Sequence, residues 1–161
     1  MGKEHNFTNM VDAANEAEQE NEVVDFVEAK KEAEDKPKRK PFAIWEVDGK
    51  QYKLKLDVTK ILELEAKYKT NLINIMGSGD EGMPALAVML DITHAALTKY
   101  HHGITKSVVN ELFTKYMADG GSQLEFYMST YMEIFAVSGF FSDNMTEKMT
   151  EAMNEAKTDT L

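Results

Sequence analysis

Cysteine is absent from the 161 residues, arginine occurs only as Arg39, and tryptophan only as Trp45. Without thiols there is neither a disulfide framework nor a thiolate metal site, which suits a reducing compartment. Without clustered arginine, the chain lacks the usual means of gripping a phosphate backbone, and no nucleic-acid partner is expected. No run of about 18 apolar residues is present to cross a bilayer, and the opening MGKEHNFTNM has no apolar signal core. The expectation is therefore a soluble protein that stays in the cytoplasm where it is made, with no membrane partner.

Catalytic signatures are equally scarce. The loop Gly77-Ser78-Gly79-Asp80-Glu81-Gly82 lacks the lysine-serine/threonine ending that places a cation on a phosphate, and carries two acids instead. No strand–turn–helix elbow presents a nucleophilic serine. Asp91, His94 and His101 share one helix, but ligands from a second segment would be needed to close a metal site. The segments 106–118 and 122–137, joined by two glycines, mimic a helix-turn-helix. The second of them has no Lys or Arg and carries Glu125 and Glu133, which phosphates would repel. The expectation is a binding protein, not an enzyme, without cofactor or metal.

What is present begins with acid. The net charge is -10, and residues 1–35 hold eleven Asp/Glu against three Lys, a local net of -8. Residues 1–40 contain few large apolar groups and are expected to form a disordered acidic arm. Its apolar island, Val23, Val24, Phe26 and Val27, could serve as a docking peptide, and Lys36 to Pro41 close it as a basic, proline-bounded hinge.

Residues 41–141 read as one domain, mainly α with a small β element: an N-terminal β-hairpin and a compact bundle of about five helices. Phe42 and Ile44, then Tyr52, Leu54 and Leu56, alternate around Asp48-Gly49. Keeping Ile44 and Tyr52 on one face requires a three-residue loop, Val47-Asp48-Gly49, with Gly49 as a left-handed bulge that pairs Ile44 with Tyr52 and Phe42 with Leu54. Asp57 caps a helix with Val58, Ile61, Leu62, Leu64 and Tyr68 at helical spacing. A short helix, 72–76, follows Asn71. Pro84 opens a third helix running to about His101, apolar nearly all round and expected to be the buried spine. Thr105 caps a fourth, with Val108, Val109, Leu112, Phe113, Tyr116 and Met117 facing inward. Ser122-Gln123-Leu124-Glu125 is a capping box for a fifth, which extends to Gly139.

The fifth helix has more apolar surface than one buried stripe needs. Beyond it lies a polar tail, residues 142–161, with Met145, Met149 and Met153 every fourth residue on a short helix. Flexible thioethers suit surfaces that accept varied apolar ligands, although Met128 and Met132 also fit ordinary core packing. The candidate partner-binding residues are Phe126, Met128, Tyr131, Met132, Phe135, Phe140, Phe141, Met145, Met149 and Met153.

The order of short motifs adds a resemblance. An Asp48-Gly49-Lys50 hairpin and an Asn71-Leu72-Ile73 helix come first. Thr93-His94-Ala95-Ala96-Leu97 and Lys99-Tyr100-His101-His102-Gly103-Ile104 follow, then Gly120-Gly121-Ser122-Gln123 and finally Phe135 to Phe141. Over about residues 41–141 the chain resembles the tail assembly chaperones of long-tailed, siphovirus-type phages and prophages of Gram-positive bacteria. The resemblance implies a protein that coats and solubilises the tape-measure protein and assists polymerisation of the tail-tube protein. It implies action in the host cytoplasm and absence from the mature virion, and it leaves self-association into a homo-oligomer open. The other reading from residues alone is a regulatory adaptor that binds its partner through the acidic arm.

Overall fold

The computed structural model describes residues 39–79 and 82–159. The acidic arm and its apolar island, Asp80 and Glu81 of the glycine-rich loop, and the last two residues lie outside the described residues.

The hairpin comprises β1 (Ala43–Val47) and β2 (Lys50–Leu54), antiparallel, with Trp45 opposite Tyr52 and Val47 opposite Lys50. Only Asp48 and Gly49 remain in the loop, at φ 52° and 71°, the left-handed pair of a type I′ turn whose twist matches the strands. The expected bulged register, pairing Ile44 with Tyr52, is therefore incorrect. It assumed that Ile44 faces the core, whereas Ala43, Trp45 and Val47 are buried and Ile44 is 43% exposed. Phe42 instead packs at the open end, edge-on to Tyr100 at 5.7 Å.

Six helices follow among the described residues. α1 (Val58–Tyr68) is capped by the Asp57 carboxylate, which accepts from the Lys60 amide, and α2 (Leu72–Met76) by Asn71. α3 (Leu86–Leu97) buries Met89, Ile92, Thr93, Ala95, Ala96 and Leu97, and is the spine that its apolar run predicts. It is shorter than expected at both ends. Pro84 precedes the Ala85 cap, and past Leu97 the chain tightens into a turn in which the Tyr100 amide returns to the Leu97 carbonyl. α4 (Lys106–Ala118) is capped by Thr105 and buries Val109, Leu112 and Phe113. Gly121 lets the chain pass against the Tyr116 ring, where a Cβ would come within 2.4 Å of the ring.

α5 has three parts: Gln123–Phe126, a π-helical turn Tyr127–Tyr131, and Met132–Val137. Ser122 caps it, its hydroxyl accepting from the Glu125 amide, as the capping box requires. In an unbroken α-helix Phe126 and Phe135, nine residues apart, would point about half a turn away from each other. The wider turn lets both lie fully buried. α6 (Asp143–Asp159) completes the described chain.

The core forms where β1, α4 and α5 meet. Trp45 and Phe126 lie 5.2 Å apart, as do Phe113 and Phe126, in edge-to-face contacts. A second aromatic run follows α5: Tyr131 to Phe135 at 5.2 Å and Phe135 to Phe140 at 4.9 Å. Full burial of each such side chain contributes about 1.5–3 kcal/mol, so this cluster is a principal source of stability. Polar ties lock the hairpin to the helices. The Lys55 amide donates to the Ala96 carbonyl, the Leu56 amide to the Ser138 hydroxyl, and the Lys53 amide to Nε2 of His101. At the start of the described chain, Arg39 donates to the Phe141 carbonyl and pairs with Asp143, while Lys40 pairs with Glu133.

Two inner-face expectations fail. Val58 and Leu62, one turn apart on α1, are 71% and 62% exposed, and on α4 Val108 and Met117 also lie outward. Each helix meets the core along a stripe only one or two residues wide, narrower than its apolar pattern suggests.

Candidate functional site

The ten residues singled out as partner contacts divide into core and surface. Phe126, Tyr131 and Phe135 are completely buried and so cannot touch a partner in this fold, which corrects the expectation for these three. They are consumed by the aromatic core because the π turn directs them inward. Met132, Phe140, Phe141, Met149 and Met153 are half-buried, with Phe140 and Phe141 packed against the core. Met128 and Met145 are exposed. Leu124, one turn before Met128, is 60% exposed and belongs with it on the outer side of α5. Its place inside the capping box, in the first turn of the helix, was the available signal, since first-turn side chains often remain outside the core.

A polar constellation that sequence spacing did not reveal lies on the other side of α3. Asp91, between Leu90 and Ile92, is largely buried on this otherwise apolar helix. Its Oδ2 accepts from Lys67 Nζ at 2.5 Å and from the Tyr68 hydroxyl at 2.8 Å, and its Oδ1 faces Lys106 Nζ at 2.5 Å. Three helices thus converge on one carboxylate. Burial by itself would raise the Asp91 pKa, but hydrogen bonds from Lys106, Lys67 and Tyr68 outweigh it and bring the value to about 2. The Tyr68 phenol is pushed well above its ordinary value, first by burial and then by its bond to Asp91. A carboxylate held this acidic is an electrostatic strut and a poor proton acceptor near neutrality.

A cavity of about 440 Å³ opens beside the strut, walled by Lys67, Tyr68, Ala87, Val88, Leu90, Asp91, Lys106 and Asn110. A smaller one, about 220 Å³, shares Lys67, Asp91 and Lys106 and adds Lys60 and His94.

The residues considered for a metal do not converge. Asp91 is engaged by the lysines, Nε2 of His94 lies 2.8 Å from the Ile104 carbonyl, and Nε2 of His101 accepts from the Lys53 amide. Among the described residues no group of three or more His, Asp or Glu side chains is placed to hold a metal ion. The same residues include no helix long and apolar enough to cross a membrane.

Hairpin, spine and helical cover define a small helical domain that begins at Arg39. The chain belongs to a family of unknown function, DUF6096, which it matches over residues 42–161. No curated protein and no solved structure matches it. The matched segment starts at Phe42, so the acidic residues 1–35 lie outside it.

Proposed function

We propose that this protein is a non-enzymatic binding protein, a tail assembly chaperone of long-tailed phages or prophages. In this reading it covers the tape-measure protein in the host cytoplasm until tail-tube subunits displace it. The observation that carries the reading is the set of flexible apolar side chains, Leu124, Met128 and Met145, left on the helical surface of a chain with net charge -10. A long client with an apolar stripe aggregates when bare, and an acidic cover with adaptable thioether contacts keeps it dispersed. The motif runs from Thr93 to Phe141 that resemble those chaperones fall inside the segment matched to the family.

Co-expression with the candidate tape-measure protein tests this. The client should become soluble and co-purify, and a double change, Leu124→Ser with Met128→Ser, should reduce recovery while leaving the chaperone folded. A client equally soluble with and without this chain would refute the reading.

The local charge of -8 over residues 1–35 favours a second reading, an adaptor that binds through its acidic segment. Removing residues 1–38 retains the Arg39 and Lys40 ion pairs. Loss of partner binding in that truncation would favour the adaptor, and retention the chaperone.

A further inference from the structure

We propose that the cleft beside Asp91 is a receptor site for a carboxylate carried on an aliphatic stem, with Lys67 and Lys106 as its cationic rim. The inference is independent of the tape-measure reading.

Two ammonium groups sit on one buried carboxylate, Lys67 on Oδ2 and Lys106 on Oδ1, so the rim retains one uncompensated positive charge. Lys106 is moreover the first residue of α4, whose opening turn holds no acid. A cation is unfavourable at that end of a helix because the unpaired amides already carry partial positive charge. Asp91 offsets part of this, and a second anion at the cleft mouth would offset the remainder.

Each ammonium has three donors, and one apiece satisfies Asp91. The Asn110 amide lies on the same wall, and Ala87, Val88 and Leu90 supply an aliphatic one. At about 440 Å³ the cavity is within the usual range for small-ligand sites. One surplus charge matches a monoanion, and the aliphatic wall matches a short stem rather than a bare ion. The same chemistry is offered by a free short-chain carboxylate or by a glutamate side chain of a partner polypeptide.

Titrating the full-length, ¹⁵N-labelled protein with sodium hexanoate tests the site. Saturable shifts are expected at the Val88, Lys106 and Asn110 amides. Acetate should need at least about tenfold more ligand, because four methylenes are lost, each worth about fourfold if fully buried. Lys106→Gln should weaken hexanoate at least about fivefold without altering amides distant from the cleft, and Lys67→Gln serves the same purpose should the first variant misfold. Equal shifts from neutral 1-hexanol, shifts that never saturate, or unchanged binding in both lysine variants would overturn the proposal. A capped helical peptide with one Glu among leucines, against its Gln counterpart, separates the sources. Tighter binding of the Glu peptide than of hexanoate assigns the site to a partner's side chain, and the reverse order assigns it to a free carboxylate.

Discussion

Replacing Asp91 by asparagine isolates the strut that joins α1, α3 and α4. The carboxylate's pKa falls from 3.8 to about 2 on folding. At about 1.36 kcal/mol per unit, this is a ceiling of roughly 2 kcal/mol. Lys67 and Lys106 are 51% and 60% exposed and regain hydration when released, so the expected loss for Asp91→Asn is about 1 kcal/mol. For a domain of this size that lowers Tm by about 3–6 °C. Because the folded pKa is depressed, the stabilisation is complete above the unfolded value near 4 and is lost as pH falls toward 2. Wild type and variant should therefore differ by a constant amount from pH 7 to pH 5 and converge below pH 4. Urea unfolding followed by Trp45 emission measures this directly, since the single tryptophan is buried in the aromatic core and becomes solvated on unfolding. A variant as stable as wild type at pH 7, or a gap that persists undiminished at pH 2.5, would refute the account.

Gly49→Ala should cost about 1–2 kcal/mol in the same assay, because Gly49 holds φ 71° and an added Cβ would meet none of the described residues within 4 Å, which leaves backbone strain as the penalty. His101 should make stability fall as pH drops through about 6.5: burial, with Lys50 and Lys53 nearby, lowers its folded pKa, and protonation removes the acceptor for the Lys53 amide. That slope should disappear in His101→Gln. The Tyr131 hydroxyl is buried without a hydrogen-bond partner among the described residues, so Tyr131→Phe should leave stability unchanged or raise it by about 1 kcal/mol by calorimetry. Phe135→Ala, by contrast, should lose about 3–5 kcal/mol.

Local chemistry was legible in the sequence wherever one or a few neighbouring residues decide the outcome. The caps at Asp57, Asn71, Thr105 and Ser122 stand where short polar side chains precede apolar periodicity. The hairpin was legible as an element but not in register, because parity identifies a face only once the inward residue is known, and Trp45 was the better anchor than Ile44. Helix faces were harder: Val58 and Leu62 have the same spacing as a buried pair, and only the placement of neighbouring helices leaves them outside. The Asp91 cluster joins residues 15 to 24 positions apart, and no local pattern encodes such a meeting. One trace was visible, an acid amid the apolar run Leu86 to Leu97, which marks a position where a carboxylate must find a cation.

The π turn of α5 makes the length of that helix unequally editable. Deleting one residue between Tyr127 and Tyr131 would restore ordinary winding and leave Phe126 and Phe135 eight residues apart, about 80° from each other, so both keep the inward side they now share, whereas a deletion between Val109 and Phe113 in the unbroken α4 would swing Phe113 by about 100° relative to Val109. The same deletion within the largely exposed α6 would only rephase its surface. Reading-frame-preserving codon losses should therefore be tolerated in the π turn of α5 and in α6 but purged from the middle of α4, so helices of similar length are subject to different rules of inheritance.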